Sequence, residues 1–105
     1  MLVFKFGGAS VRDAEAIKNV ASILSLYPST KLTVVVSAMG KSTNKLEEIV
    51  HALESKNHAV FSGLVDELET FHLDIMAALF PEKHYKIYQT VEELFDGLRK
   101  RMEGP

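Results

Sequence analysis

The sequence predicts an α/β protein in which two short parallel strands are followed by three helices. Three observations predict this class. Two apolar runs of strand-forming residues occur at Leu2–Phe6 and Leu32–Val36. Apolar residues at helical spacing lie between the runs, and a polar turn directly follows each run. A strand, a helix and a second strand in this order form a βαβ unit, whose crossover we expect to be right-handed.

The first strand leads into a glycine turn that we expect to open a helix. Gly7 and Gly8 can adopt a positive φ and have no Cβ, so a ligand could approach their backbone N–H groups. We expect Ser10 to cap the following helix, with Asp13 three residues later in an approximate capping box. Helix N-termini attract anions, and Lys5 is an unusual residue for a buried sheet unless an anion pairs with it. This turn therefore predicts an anion site.

The next helix and strand complete the βαβ unit. Pro28 should end the helix. The strand Leu32–Val36 is almost continuously β-branched, which is typical of a parallel strand covered on both faces. The apolar positions of the helix are Ile17, Val20, Ala21 and Leu24.

Three further helices are predicted after the second turn. One begins near Thr43 or Asn44, where Asn44 and Glu47 have the spacing of a capping box. The next spans about His58–Phe80, and the last begins at about Tyr85. The expected apolar faces are Leu46, Ile49, Val50 and Leu53; Leu64, Leu68, Phe71, Ile75 and Leu79; and Val91, Leu94, Phe95, Leu98 and Met102.

Two strands and three helices make an incomplete α/β sheet. Parallel sheets are normally larger and covered on both faces, and here both edges would be open. We therefore expect residues 1–105 to be the N-terminal part of a larger α/β domain. We also expect self-association, through the Leu32–Val36 edge or through the long helices.

Composition excludes several classes of protein. The net charge of −2 and the pI near 6.1 argue against a general nucleic-acid binder. The chain has no cysteine, which excludes disulfide scaffolds and thiol catalysis, and its four histidines lack metal-ligand spacing, so no metal site is predicted. No apolar run reaches the length of a membrane span, and the start lacks the layout of a signal peptide. We expect a cytoplasmic protein.

The two turns should lie at the same edge of the sheet, because parallel strands end on the same side and ligands bind there. The second turn, Ser37–Asn44, offers small hydroxyl groups, Gly40 and Lys41. Two lysines, hydroxyls and backbone donors suit an anionic small molecule and phosphoryl transfer. Neither the P-loop motif nor G-x-G-x-x-G is present.

Together the two turns resemble the signatures of aspartokinases. The run K-F-G-G-A-S-V from Lys5 is similar to their opening K-F-G-G-T-S-V. The run V-V-S-A-M-G from Val35, followed by Thr43 and Asn44, is similar to their V-V-S-A-M-G-x-x-T-N. The resemblance implies the amino acid kinase fold, a three-layer α/β/α sandwich around a mainly parallel sheet. It also implies transfer of the γ-phosphate of ATP, with Mg²⁺, to the β-carboxylate of L-aspartate, the first step of lysine, threonine and methionine biosynthesis.

The resemblance also implies roles for individual residues. Lys5 would stabilise the transferring phosphoryl group as the catalytic residue. Ala9 replaces the family's usual threonine and removes one hydroxyl contact. The family's later motifs lie beyond Pro105, so we expect the chain alone to be inactive. The implied ATP-phosphate ligands are Lys5, Gly7, Gly8 and Ser10, and the implied aspartate ligands are Ser37 and Thr43.

Two alternatives stay open. Other amino acid kinases, which act on glutamate, acetylglutamate, carbamate or a nucleotide monophosphate, share a lysine–glycine–glycine opening, although the Thr43-Asn44 turn favours aspartate. The second alternative is a non-catalytic interaction module that binds a partner through its open strand edge and apolar helices.

Overall fold

The computed structural model describes residues 1–82 and 86–103. Within them a βαβ unit is followed by three α-helices, which confirms the predicted class and order. The residues form two compact units, one of residues 1–42 and one from Thr43 onward. The predicted start at Tyr85 lies outside the described residues. In chain order the elements are β1 (Leu2–Phe6), a 3₁₀ helix (Gly8–Val11), α1 (Ala14–Leu24), β2 (Leu32–Val36), α2 (Ser42–Glu54), α3 (His58–Leu79), α4 (Lys86–Arg99) and a second 3₁₀ helix (Lys100–Glu103).

Strands β1 and β2 pair in parallel, from Leu2 opposite Leu32 to Phe6 opposite Val36. Both strands have the predicted bounds. A backbone hydrogen bond extends the pairing at the carboxyl end, where the Ser37 N–H donates to the Phe6 carbonyl at 3.0 Å. The second turn is therefore tied to the end of β1. The right-handed crossover stays a prediction.

The strands are more exposed than the sequence predicts. Side chains alternate between the two faces of a sheet. On one face the Phe4 ring packs against Tyr27, with ring centroids 5.2 Å apart, and Phe6 is buried. On the other face Val3 is 63% exposed and Val35 is 48% exposed. The expectation of strands covered on both faces is therefore wrong for this chain, because the described part of unit 1 covers one face at most.

Helix α1 begins later than predicted, and its cap is a different residue. Asp13 is the N-cap, and its carboxylate accepts a hydrogen bond from the Ala16 N–H at 2.8 Å. The predicted cap, Ser10, lies inside the 3₁₀ helix that separates β1 from α1. The helix ends at Leu24, four residues before Pro28. The 3₁₀ turn thus moves the start of the α-helix away from the glycines.

The second unit has a core formed by α2, α3 and α4. Its most buried side chain is Val65, which is 0% exposed. Three predicted core residues are wrong, because Leu46 and Val50 are exposed and Leu94 is 68% exposed. Helix α2 begins at Ser42, so the predicted capping pair, Asn44 and Glu47, lies inside the helix. The core consists of Ile49, Ala52, Phe61, Val65, Leu68 and Phe95, with Leu53, Leu64, Val91, Leu98 and Met102 packed against it.

Ion pairs join the helices of this unit at their surface. One terminal nitrogen of Arg99 on α4 donates to Asp66 at 2.8 Å and to Glu69 at 2.6 Å, both on α3. These bonds, to Glu69 first, raise the pKa of Arg99. Lys45 on α2 donates to Glu67 at 2.7 Å, which raises the pKa of Lys45. Charged groups therefore supplement the apolar packing between helices.

None of the helices within residues 1–82 and 86–103 combines the length and apolar character needed to cross a lipid bilayer.

Candidate functional site

The turns after β1 and β2 meet at the carboxyl end of the strand pair, as the parallel pairing predicts. Gly8 in the first turn faces the backbone of the second, where a Cβ at Gly8 would lie 2.9 Å from the carbonyl oxygen of Gly40. The Ala38 carbonyl oxygen would be 3.7 Å from the same position. Within the first unit the structure therefore brings Lys5, Gly7, Gly8, Ser10 and Ser37 to one edge.

Gly7 leaves open space in the first turn. Its backbone is extended, with φ −78° and ψ 178°, and a Cβ there would meet nothing within 4 Å. Neither Gly7 nor Gly8 has a positive φ. The Ser10 N–H donates to the Gly7 carbonyl at 3.0 Å, while the Ser10 side chain is exposed. Gly7 thus offers a backbone that a phosphate could approach closely.

The second turn is shaped by Gly40 and Ser42. Gly40 has φ 57°, a left-handed conformation that favours glycine. Ser42 is 4% exposed, and its hydroxyl donates to the Met39 carbonyl at 2.6 Å. The Ser42 N–H donates to the same carbonyl at 3.1 Å. These bonds close the turn and leave the exposed Ser37 and Lys41 side chains at its surface.

Positive charge at this edge comes from lysines, while the start of α1 supplies none. Lys5 lies on the same sheet face as Val35, and its side chain is exposed. It is therefore not a buried lysine that requires an anion as a partner. The 3₁₀ helix separates the N-terminus of α1 from Gly7, and the Asp13 carboxylate accepts from one of the N–H groups there, that of Ala16. The positively charged side chains in or beside the two turns are those of the exposed Lys5 and Lys41.

A small groove borders the first turn. It has a volume of about 340 Å³, and Ala9 and Ser10 line one end of it. Arg12 also lines the groove, but its Nε lies 3.5 Å from an Asp13 carboxylate oxygen. The carboxylate offsets part of that positive charge.

The predicted acceptor residue Thr43 lies in the first turn of α2, in the second unit, with an exposed side chain. Its hydroxyl is therefore accessible to a ligand.

The residues of the two turns do not form a magnesium site of their own. Mg²⁺ prefers oxygen ligands and usually needs one or two carboxylates beside substrate phosphates. Residues 5–10 and 37–42 contain no carboxylate. Elsewhere in the described part of the chain, no group of three or more His, Asp or Glu side chains could hold a metal ion.

Sequence reasoning noticed Gly40 and Ser42 but gave neither of them a role. The signal for Gly40 was a glycine in a turn after a strand, which is a common position for a positive φ. The signal for Ser42 was a small hydroxyl residue just before an apolar helical repeat. The contact between Gly8 and Gly40 had no sequence signal, because these residues are far apart in the chain.

Comparison with known proteins places this geometry in a family. A family model described as the amino acid kinase family matches residues 1–95. Aspartokinase 2, chloroplastic, of Arabidopsis thaliana is 31% identical over 105 residues, which cover 97% of this chain and 18% of that protein. Aspartokinase 2 of Bacillus subtilis (strain 168) is 41% identical over 88 residues, which cover 81% of this chain and 22% of that protein. The chain thus spans about a fifth of the length of these relatives.

A solved structure has the same fold. The crystal structure of Clostridium acetobutylicum aspartate kinase superposes with a TM-score of 0.69 at 22% sequence identity. The match covers 95% of this chain and 24% of that chain. The fold, the two turns and the family model agree, and the chain belongs to the amino acid kinase family, a lineage of kinases.

Proposed function

We propose that this chain carries two turns of the active site of an aspartate kinase, which transfers the γ-phosphate of ATP to the β-carboxylate of L-aspartate. The first turn, residues 7–10, is called the phosphate turn, and the second, residues 37–42, is called the acceptor turn. One observation carries the proposal. A turn with Lys5 and the open Gly7 contacts a turn with Ser37, at the carboxyl end of a parallel strand pair. The two relatives reported above are named aspartokinases, which supports aspartate as the acceptor.

The chemistry needs positioning and positive charge more than a base. A carboxylate oxygen of aspartate attacks the γ-phosphorus, the bond between that phosphorus and the bridging oxygen breaks, and ADP leaves with the electron pair. The acceptor is already ionised at neutral pH, so no proton has to be removed. Lys5 would neutralise charge on the transferring group, and the N–H groups of Gly7 and Gly8 would orient the phosphates.

The hydroxyl groups of Ser37 and Thr43 would hold aspartate. A hydroxyl can donate to a carboxylate and can also accept from the substrate ammonium group. Mg²⁺ is expected to arrive with ATP, bound to phosphate oxygens. Ala9 keeps the backbone of the phosphate turn but lacks the hydroxyl that the aspartokinase motif has there. We expect weaker phosphate binding from this change and no loss of the reaction.

Backbone NMR on the full 105-residue chain tests the site. ATP is expected to shift the amide signals of residues 7–10, and L-aspartate those of Ser37 and Thr43. Glutamate, acetylglutamate, carbamate and uridine monophosphate serve as the panel for the alternative kinases. A larger response at Ser37 to any of these than to aspartate would reject the aspartate assignment. Shifts confined to other parts of the chain would reject the site itself.

We propose further that the isolated chain does not turn over substrate, because the later family motifs are absent from residues 1–105. The measurement is ADP release by the purified chain with ATP and L-aspartate. Aspartate-dependent release above that of a Lys5→Met variant would contradict the proposal.

Self-association through β2 is also proposed. Val34, Val35 and Val36 are all exposed, and within the described residues β2 pairs only with β1. Exposed apolar strands with an unpaired edge favour pairing with another copy. Native mass spectrometry over a concentration series should show dimers that a Val35→Lys variant lacks. A monomer at every concentration would contradict self-association. It would also count against the non-catalytic interaction module.

A further inference from the structure

Gly8 packs closely against the backbone of the second turn at Gly40. A Cβ at Gly8 would lie 2.9 Å from the Gly40 carbonyl oxygen. This distance is shorter than a van der Waals contact between a carbon and an oxygen. A Cβ at Gly7, one residue earlier, would meet nothing within 4 Å. The two adjacent glycines therefore differ in their surroundings. Gly7 faces open space, and Gly8 faces the backbone of the other turn.

Gly40 provides the other half of this contact. Its φ of 57° directs the backbone through a conformation that most residues avoid. The Ser42 hydroxyl and N–H both bond to the Met39 carbonyl, at 2.6 and 3.1 Å, which holds the peptide on the N-terminal side of Gly40. The Ser37 N–H bonds to the Phe6 carbonyl at 3.0 Å, which holds the other end of the turn. The Gly40 carbonyl therefore lies within a turn closed between Met39 and Ser42 and tied to β1 at Ser37.

We propose that Gly8 and Gly40 are a pair of positioning residues that set the distance between the phosphate turn and the acceptor turn. The proposal rests on the proposed function, because it assigns the spacing of the two turns to the alignment of ATP with aspartate. For Gly8 this spacing role is additional to the phosphate contact proposed for its N–H group. In-line transfer depends on this spacing, since a misplacement of 1 Å can cost about 100-fold in rate.

The two glycines of the first turn then have separable roles. A methyl group at Gly8 must displace the Gly40 carbonyl, and with it the acceptor turn that carries Ser37. A methyl group at Gly7 fits without moving the protein, since φ −78° and ψ 178° suit alanine. It would, however, occupy the space through which phosphate approaches. Gly7→Ala is therefore the matched control for Gly8→Ala.

The test compares these two variants in the full chain by backbone NMR and by titration with ATP and with L-aspartate. Gly8→Ala is expected to shift the amides of residues 38–41 and to weaken aspartate binding severalfold. Gly7→Ala is expected to leave residues 38–41 in place and to weaken ATP binding instead. A purely structural role for Gly8 would not produce this crossed pattern. Unchanged amides at 38–41 in Gly8→Ala, or equal changes in Gly7→Ala, would overturn the proposal.

A reciprocal pair of variants covers the case in which Gly8→Ala fails to fold. Gly40→Ala should shift the amides of residues 7–10, because alanine disfavours a positive φ and moves the carbonyl. Gly40→Asn should restore most of the native shifts, because asparagine tolerates the left-handed conformation. The amides of Val20 on α1 and Val34 on β2, in the same unit as the two glycines, report that each variant is folded. No difference between Gly40→Ala and Gly40→Asn would overturn the proposal.

The readouts also separate this proposal from the function on which it rests. If neither ATP nor aspartate binds to the native chain, the proposed function fails. The amide shifts of the second turn then still decide whether Gly8 and Gly40 set its position.

Discussion

Replacing Val65 by alanine should destabilise the second unit, which contains α2, α3 and α4, more than the same substitution at an exposed valine. The Val65 side chain is 0% exposed, so the change removes two buried methyl groups. Their transfer to water accounts for about 1.6 kcal/mol, at about 0.8 kcal/mol for each carbon. The cavity left behind adds up to about 1 kcal/mol. The better helix propensity of alanine returns about 0.6 kcal/mol. We expect the free energy of unfolding to fall by about 2 kcal/mol.

Val50→Ala is the matched control, because Val50 lies within a helix of the same unit and is 49% exposed. This substitution loses about half of the transfer free energy of the two methyl groups and leaves no cavity. Alanine returns the same helix propensity, so we expect the free energy of unfolding to fall by about 0.2 kcal/mol.

Urea unfolding followed by circular dichroism at a helical wavelength measures both variants. With a slope of about 1 kcal/mol per molar urea, the midpoint of Val65→Ala should fall by about 2 M. Equal effects of the two substitutions would refute the assignment of Val65 to the centre of the core. The slope must stay constant for the comparison to report stability.

Three further predictions concern polar contacts. Asp13→Ala should remove the cap of α1 and cost about 1 kcal/mol, seen as roughly fivefold faster amide hydrogen exchange in α1. Arg99→Gln should cost the helical unit about 1 kcal/mol in urea unfolding, because it leaves two carboxylates without their shared partner. Pairing with Glu67 raises the pKa of Lys45 above 10.5. The contribution of this ion pair to the free energy of unfolding is therefore complete below pH 10.5, and it is lost as the pH rises through the folded-state pKa of Lys45.

Each of these has a control in the chain. Ser10→Ala should leave exchange in α1 unchanged, and an effect as large as that of Asp13→Ala would favour the cap that the sequence predicts. Arg101→Gln removes an exposed arginine close to Arg99 and should be neutral. The difference in free energy of unfolding between the native chain and Lys45→Gln should be constant at neutral pH. Above about pH 10.5 this difference should become smaller. A difference that grows in alkali would contradict the ion pair.

The strands could be predicted from the sequence residue by residue, because Leu2–Phe6 and Leu32–Val36 are short β-rich runs bounded by polar turns. Their parallel pairing followed from the helical repeat between them. The burial of the strands could not be predicted. A run of valines indicates a strand, but what covers its faces depends on other elements that the local pattern does not contain.

Helix faces were predicted less well where apolar residues are neighbours. Leu94 and Phe95 are adjacent on α4, and periodicity alone cannot decide which of them faces α3. The structure buries Phe95 and leaves Leu94 exposed. The cap of α1 was misplaced for a related reason. A 3₁₀ turn lies between the glycines and the α-helix, so Asp13 caps where Ser10 was expected.

The candidate site was predicted in outline from two turns and the rule that parallel strands end on the same side. Lys5, Gly7 and Ser37 lie where that rule puts them. What the sequence could not supply is the contact between Gly8 and Gly40, since a distance between backbones far apart in the chain has no local signature.

We propose above that these two turns serve ATP-dependent phosphorylation of aspartate. The most direct measurement uses a chimera in which this chain replaces the segment it matches in aspartokinase 2 of Bacillus subtilis. The product is trapped with hydroxylamine as the hydroxamate. We predict aspartate-dependent product, lowered about 100-fold or more by Lys5→Met. Lys31→Met should leave the product unchanged, because this exposed lysine lies directly before β2, at the opposite end of the strand from the second turn. A folded chimera that binds ATP without phosphorylating aspartate, or one in which Lys5→Met stays fully active, would contradict the claim.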